Sequence, residues 1–131
     1  MIIVDTNVLI DLDLYVFNED LLYAASILSR AELEFGVQAA PTPTEHAYRT
    51  HRLSELDAQF DWLPFDVAST RSYGEVAAGA TATGARVRSK DSLIAAQARR
   101  YGAAVLTRNV PDFELFLRFV DVIDAATYLK Q

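Results

Sequence analysis

Ten residues at the start of the chain, MIIVDTNVLI (residues 1–10), decide the fold class. Residues 1–4 form an apolar run with two isoleucines and a valine, which is typical of a short buried strand. The strand ends directly on the carboxylate of Asp5, and the residues from there to Leu12 can open a helix. A buried strand that delivers a charge into a helix start indicates a parallel α/β sheet, whose carboxyl edge carries functional residues.

The rest of the chain repeats this alternation of short apolar strands and helices. Strands are predicted over residues 62–65, 103–107 and 119–123, and residues 21–28 mix strand and helix formers. Helices are predicted over residues 29–39, 44–60, 66–79 and 89–101, with short turns from 112 and 124. The predicted caps are Ser29, Thr44, Asp66 or Ser69, Asp112, Asp124 and the left-handed Gly102. We therefore expect a three-layer α/β/α fold around a parallel sheet of about four to five strands.

The composition is that of a globular protein with a substantial core. Of the 131 residues, 51% are hydrophobic and 23% are charged, so we expect a single domain over residues 1–131. The net charge of −6 argues against nucleic-acid binding through overall charge, although it allows a local basic rim. The chain has no cysteine and no apolar run near the ~20 residues of a membrane helix. We expect a soluble, cytoplasmic protein without membrane association.

Acidic side chains recur where predicted strands end and helices begin. Asp5 ends the first strand, and Glu32 and Asp91 lie in the first turns of predicted helices. Asn109 and Asp112 follow the next-to-last predicted strand. Because the carboxyl ends of parallel strands share one edge, we expect three carboxylates to converge there, with Asn109 or Asp112 as a fourth oxygen donor.

Helix capping explains each of these acids taken alone. Asp5 fits an N-cap position, and Glu32 fits a capping box that begins at Ser29. Asp91 and Asp112 fit the acidic first turns that the helix dipole favours. Capping leaves unexplained why all four acids fall at one predicted edge, although caps also occur naturally in such loops.

Converging carboxylates need a compensating cation, because like charges in a partly desolvated cleft raise one another's pKa values. The chain offers oxygen ligands: it has no cysteine, and His46 and His51 fall on a predicted exposed helix. This donor set favours Mg²⁺, with Mn²⁺ as a possible substitute, over zinc. Such an ion suits hydrolysis of a phosphodiester, since it activates water and offsets charge on the phosphate oxygens.

Four segments resemble the motifs of the PIN-domain ribonucleases and, within them, of the VapC-type toxins of bacterial toxin–antitoxin pairs. In chain order they are IVDTNV (residues 3–8), SRAELEFG (29–36), DSLIAA (91–96) and TRN with DF (107–109 and 112–113). Their order and spacing make the resemblance cover essentially the whole chain, although each motif alone is a weak signal. The resemblance implies a PIN-like α/β/α fold.

Carried onto this chain, the resemblance makes Asp5, Glu32 and Asp91 the catalytic and metal-binding set. It implies an endoribonuclease dependent on Mg²⁺ or Mn²⁺, which cleaves RNA such as tRNA or ribosomal RNA and so inhibits translation and growth. The implied partners are RNA, a VapB-like antitoxin, and a second copy of the chain in a homodimer that assembles further with the antitoxin.

The chain departs from the fullest family pattern at the fourth motif. Asn109 stands where some members carry Asp, and Asp112 lies three residues later. The resemblance therefore makes Asn109 and Asp112 secondary candidates for metal binding. It implies that Thr6 and Thr107 support the acids through hydrogen bonds.

Basic side chains surround the third and fourth motifs. The candidate RNA contacts among them are Arg86, Arg88, Lys90 and Arg108. These side chains could follow a phosphate backbone, but basic residues on a helix are more often simply solvated. Arg108 could instead balance the charge of the acidic site.

An unusually apolar connection follows the first helix and contains Leu12, Leu14, Tyr15 and Phe17. Packing in the core is the commoner reason for such residues. A groove for an antitoxin or a homodimer face is the alternative.

Three other functions fit the sequence less well. A haloacid dehalogenase-type phosphatase also begins with a strand that ends in Asp, but it needs a second acid at the position of Asn7. A receiver-type phosphoacceptor would need paired acids after the first strand. A PIN-like RNA- or protein-binding module with impaired catalysis would be consistent with Asn109.

Overall fold

The computed structural model describes residues 1–87 and 89–131, with the side chain of residue 89 left aside. The strands are β1 (Ile2–Val4), β2 (Tyr23–Ser26), β3 (Trp62–Leu63), β4 (Ala104–Thr107) and β5 (Val122–Asp124). The α-helices are α1 (Thr6–Leu9), α2 (Ile27–Gln38), α3 (Pro43–Gln59), α4 (Val67–Thr81) and α5 (Ser89–Tyr101). Turns of 3₁₀ helix cover Leu12–Leu14, Val110–Phe116 and Ala125–Tyr128.

The five strands form one sheet in the order β3-β2-β1-β4-β5, and every pairing is parallel. The central strand is β1, in which Ile3 is in register with Ala24 of β2 and Val105 of β4. The chain winds from β1 to β3 in one direction and then crosses back to build β4 and β5. This reversal places a crevice outside the carboxyl ends of β1 and β4, where α/β proteins commonly bind ligands.

The sheet separates two hydrophobic cores. Ile2 and Val4 of β1 face a core that contains Leu33 of α2 and Leu56 of α3. Ile3 points the opposite way, into a core formed mainly by α4 and α5. The alternation follows from the two-residue period of a strand, and burial on both faces explains why β1 is apolar throughout. The predicted three-layer α/β/α fold with a parallel sheet is confirmed.

The start of α2 differs from the sequence prediction. The helix is capped by Ser26, whose hydroxyl accepts a hydrogen bond from Leu28 N at 3.0 Å. Ser29 lies inside the helix and is fully buried, so the predicted cap at Ser29 is wrong. The capping box between Ser29 and Glu32 is wrong for the same reason. Two helical residues, Ile27 and Leu28, therefore lie before Ser29, and the Glu32 carboxylate is not used in a capping box.

The start of α3 is also earlier than predicted. Thr42 is the cap, and its hydroxyl accepts from Glu45 N at 3.1 Å. The predicted cap at Thr44 is wrong because Pro43 already begins the helix. Proline is favoured at that position, since its fixed φ suits a helix and its missing N–H would have no partner there.

The segment after β4 departs further from the prediction. Asn109 precedes the 3₁₀ turn, and Asp112 lies within its first turn, so the predicted cap at Asp112 is wrong. The last strand begins at Val122, later than the predicted range 119–123. The amides of Phe119 and Val120 bond back to the Phe116 carbonyl at 2.9 and 3.0 Å, so that part of the backbone forms a turn.

Other local predictions are confirmed. Asp66 caps α4, Asp124 caps the last 3₁₀ turn, and Gly102 has a φ of 62° after α5. In the connection after α1, Tyr15 is buried, and the ring of Phe17 packs edge-on against Tyr23 at 4.9 Å between centroids. No helix among the described residues is both long and apolar enough to span a membrane.

Candidate active site

Asp5 lies at the carboxyl end of the central strand and is only 4% exposed. It is the N-cap of α1, and its Oδ1 accepts a hydrogen bond from Thr6 N at 2.8 Å. Thr107, at the end of β4, donates its hydroxyl to Asp5 Oδ2 at 2.9 Å. Burial raises the pKa of Asp5, while the hydrogen bonds from Thr107 and Thr6 and the charge of Lys90 oppose that rise. The capping interpretation of Asp5 therefore holds alongside its place in an acidic cluster.

Glu32 reaches this edge from α2, with its side chain 34% exposed. Thr6 Oγ1 lies 3.1 Å from Glu32 Oε1 and 2.7 Å from the buried Ser29 Oγ. A hydroxyl carries one proton, so Thr6 can donate to Glu32 while it accepts from Ser29. The other Glu32 oxygen, Oε2, lies 2.7 Å from Lys90 Nζ.

Asp91 lies in the first turn of α5 and is 7% exposed. Its charge reaches Lys90, the residue before it. Burial alone would lower the pKa of Lys90, but the hydrogen bond to Glu32 and the charges of Glu32, Asp5 and Asp91 raise it. Lys90 is therefore stabilised in its charged form by three carboxylates, which come from the residue after β1, from α2 and from α5.

The fourth motif joins the cluster through Thr107. The fully buried Thr107 hydroxyl accepts from Asn7 Nδ2 at 3.2 Å and from Asn109 N at 3.1 Å. The side-chain amide of Asn109 donates to Asp112 Oδ2 at 2.7 Å. The two secondary candidates are therefore bonded to each other, and Asn109 reaches Asp5 through Thr107.

The candidate RNA contacts are placed differently from one another. Lys90 pairs with Glu32 inside the acidic cluster. Arg108 pairs with Asp11 at 2.8 Å, so its carboxylate partner is a residue outside the predicted acidic set. Arg86 is exposed and borders a small cleft with Asp112. Arg88 lies outside the described residues.

Sequence reasoning assigned no site role to Ser29 and Asn7. Ser29 contacts Thr6, and Asn7 contacts Thr107, so each holds a residue that in turn holds a carboxylate. A site role for Ser29 could have been predicted from its position one helical turn before Glu32, on the same face of α2. Asn7 also accepts from Arg108 N at 3.1 Å, and this contact ties α1 to the end of β4.

The side chains of Asp5, Glu32 and Asp91 supply carboxylate oxygens, which are the ligands that a hard divalent cation prefers. Their three negative charges exceed the single positive charge of Lys90. Among residues 1–87 and 89–131, no three His, Asp or Glu side chains are already placed to hold a metal ion together. Asp5 and Glu32 are oriented by threonines, as ligands of metals commonly are. A side-chain adjustment would therefore be needed to gather the acids around an ion.

The chain is an α/β protein with a parallel sheet. Buried and half-buried carboxylates lie near the carboxyl end of its central strand. The chain belongs to the PIN domain family, whose model matches residues 2–114. It is 32% identical over 132 residues to the VapC ribonuclease Y4jK of Sinorhizobium fredii, across 87% of this chain and 91% of that relative. The expected family resemblance is confirmed.

Solved structures agree with this assignment. The crystal structure of FitAcB from Neisseria gonorrhoeae matches with a TM-score of 0.81 and 26% identity, over 96% of this chain and 99% of that one. VapBC-5 of Mycobacterium tuberculosis, a member of the VapBC family of toxin–antitoxin systems, matches with a TM-score of 0.72 and 28% identity, over 93% and 96%. The chain is thus a PIN-domain protein of the VapC ribonuclease type.

Proposed function

We propose that this chain is the toxin of a type II toxin–antitoxin pair and a Mg²⁺-dependent endoribonuclease, with Mn²⁺ as a possible substitute. It hydrolyses phosphodiester bonds in RNA, with tRNA or ribosomal RNA as the expected class of target, and so inhibits translation and growth. The observation that carries this proposal is that Asp5 and Glu32 both accept hydrogen bonds from Thr6 beside the end of β1, and that Lys90, next to Asp91 in the chain, pairs with Glu32. The active unit is one domain, residues 1–131, in the cytoplasm.

Asp5, Glu32 and Asp91 are the residues that would hold the ion. When bound, a divalent cation supplies a more acidic water and positive charge beside the scissile phosphate. The chain's own contribution is orientation. Thr107 and the Thr6 amide fix the two oxygens of Asp5, and the Thr6 hydroxyl fixes one oxygen of Glu32. Each of these oxygens keeps a further lone pair for a ligand.

The proposed partners are a VapB-like antitoxin and a second copy of this chain in a homodimer, with RNA as substrate. Support comes from FitAcB and VapBC-5, of which the latter is described as a toxin–antitoxin system.

Exposed apolar side chains on the surface are compatible with a protein partner. Phe35 on α2 is 74% exposed, and Val16 and Leu22 are 60% and 63% exposed. Large apolar side chains in water are commonly covered in an assembly.

The test is RNA cleavage by the purified chain, free of any antitoxin, in Mg²⁺, in Mn²⁺ and in EDTA. We expect cleavage in either metal and none in EDTA. Asp5→Ala and Asp91→Ala should each abolish cleavage, whereas Asp61→Ala, which removes an exposed carboxylate, should leave it unchanged. Equal cleavage by the wild type and Asp5→Ala would mean a contaminating nuclease, and the proposal would fail.

Two results would redirect the assignment. RNA binding without cleavage would favour a PIN-like binding module, for which the engagement of the Asn109 amide with Asp112 is the supporting contact. Hydrolysis of phosphomonoesters without RNA cleavage would favour a metal-dependent phosphatase.

The toxin role is tested by expression in cells. We expect growth arrest on expression of this chain, and relief of the arrest by co-expression of a small DNA-binding protein encoded next to it.

A further inference from the structure

Lys90 pairs with an acid of the site, although the sequence presents it as a candidate RNA contact. Its Nζ is 2.7 Å from Glu32 Oε2. The charges of Glu32, Asp5 and Asp91 all stabilise its ammonium form, and its own charge favours the ionised form of Asp5. The ammonium thus supplies positive charge at the place where the proposed function puts a divalent cation.

Resting on that proposed function, we propose that Lys90 is a positioning residue: its ammonium holds Glu32 in the metal-free protein, and an incoming divalent cation displaces it. Lys90 and the metal would then compete for the same carboxylate. The chain would carry its own occupant of the acidic site, in addition to any partner that binds there.

The hydrogen bonds identify the contested atom. Both oxygens of Asp5 are already held by backbone and threonine donors, and these contacts leave lone pairs available. Glu32 Oε1 is held by Thr6, whereas Glu32 Oε2 is held by Lys90. Releasing Oε2 is the one change in this part of the described structure that frees Glu32 without breaking a threonine contact.

Exposure makes the exchange feasible. The Lys90 side chain is 54% exposed and that of Glu32 is 34% exposed, so the ammonium can move into water without disturbing either core. Lysine has a flexible four-carbon stem, and its strongly hydrated ammonium loses little when it leaves a half-exposed carboxylate. The backbone of α5, including the neighbouring Asp91, can stay in place during this motion.

The test measures Mn²⁺ binding to the full chain without RNA, by the electron paramagnetic resonance signal of free Mn²⁺. Lys90→Met should lower the dissociation constant by about tenfold or more, because both the competitor and its repulsion of the ion are removed. Lys90→Arg keeps the charge and should bind Mn²⁺ no more tightly than the wild type. Lys130→Met removes the only other lysine and should leave the affinity unchanged.

A second measurement separates direct competition from a general charge effect. In a Glu32→Gln background the gain from Lys90→Met should shrink to less than half of its wild-type size on a logarithmic scale, because the contested carboxylate is gone. In ¹⁵N-labelled wild type, the Lys90 Nζ resonance should shift on addition of Mg²⁺, while that of Lys130 should not.

Equal Mn²⁺ affinity in the wild type and Lys90→Met, or weaker affinity in the variant, would overturn the inference while leaving the proposed nuclease intact. An undiminished gain in the Glu32→Gln background would also overturn it. If neither the wild type nor Lys90→Met binds Mn²⁺, the inference and the proposed metal dependence fall together. RNA cleavage without Asp5 dependence would instead overturn only the proposed function.

Discussion

The Thr107 hydroxyl donates to Asp5 Oδ2 at 2.9 Å and so links the carboxyl ends of β4 and β1, two residues that are 102 positions apart in sequence. Both side chains are buried. The same hydroxyl oxygen accepts hydrogen bonds from the Asn7 side-chain amide and from the backbone N–H of Asn109. Thr107 therefore connects the first and fourth motifs and is the residue through which the end of β4 orients the buried acid.

Replacing Thr107 by valine should destabilise the protein by about 1–3 kcal/mol, because a buried carboxylate oxygen loses its donor while the side-chain volume is kept. Urea unfolding measures this loss. Thr107→Ser retains the hydroxyl and should recover most of the hydrogen-bond contribution. If valine and serine are equally stable, the hydrogen bond to Asp5 contributes nothing.

Asp5→Asn should make the stability of the metal-free protein less dependent on pH, because the variant has no titrating carboxyl at this buried position. The pKa of Asp5 in the native state is raised above the ordinary value of 3.8, mainly by burial. At pH values between the ordinary pKa and the raised native pKa, the native state therefore binds more protons than the unfolded state. Native stability therefore falls as pH rises through that window, and the loss is complete above it. In thermal unfolding with EDTA, the Tm of Asp5→Asn relative to that of the wild type should be higher at pH 7 than below pH ~4. A difference in Tm that does not change with pH would contradict this account.

Asp66→Ala should lower the Tm at neutral pH through the loss of the α4 cap. Hydrogen bonds from the Ser69 hydroxyl and amide, with Arg100, lower the pKa of Asp66 from 3.8 to about 2. The stabilisation is present above the unfolded pKa and is lost as pH falls towards the folded one. The difference in Tm from the wild type should therefore shrink between pH 4 and pH 2. A difference in Tm that stays constant between pH 4 and pH 2 would contradict this account.

Gly79→Ala and Gly74→Ala should have opposite effects, although both glycines lie in α4. A Cβ on Gly79 would collide with the Phe119 ring and lie 2.6 Å from Arg118 Nη2, which predicts a loss of about 1–3 kcal/mol. A Cβ on Gly74 meets nothing within 4 Å and should gain about 0.5–1 kcal/mol from helix propensity. Chemical denaturation of the two variants checks this. Equal effects would mean that α4 shifts to accommodate the methyl group at Gly79.

The position of Asp5 at the edge of the sheet was predictable from sequence, because the carboxyl ends of parallel strands lie at one edge. Asp5 follows an apolar strand directly, and that local pattern places it whatever the strand order. The start of α2 was misread locally, since Ser29 and Glu32 have the spacing of a capping box. The helix instead starts at Ser26, and Ser29 is used to hold Thr6. Local spacing alone does not distinguish a cap from a tertiary contact.

The carboxylate partners of the basic residues could not be predicted from the sequence. Lys90 and Arg108 have the same charge and lie beside neighbouring motifs, yet Lys90 pairs with Glu32 and Arg108 with Asp11. Both partners are more than fifty residues away in sequence. Which acid each cation meets depends on the neighbours of β1 in the sheet.

The layered architecture of this protein follows from the pattern of its sequence. Short apolar strands between helices require a parallel sheet buried on both faces, and that sheet puts the charge of Asp5 at its edge. The three-dimensional structure was needed to show that β4 lies beside β1, that Thr107 donates to Asp5, and that Lys90 pairs with Glu32. The reason is physical: burial patterns repeat locally along a chain, whereas hydrogen bonds and ion pairs depend on which distant strand ends the packing brings together.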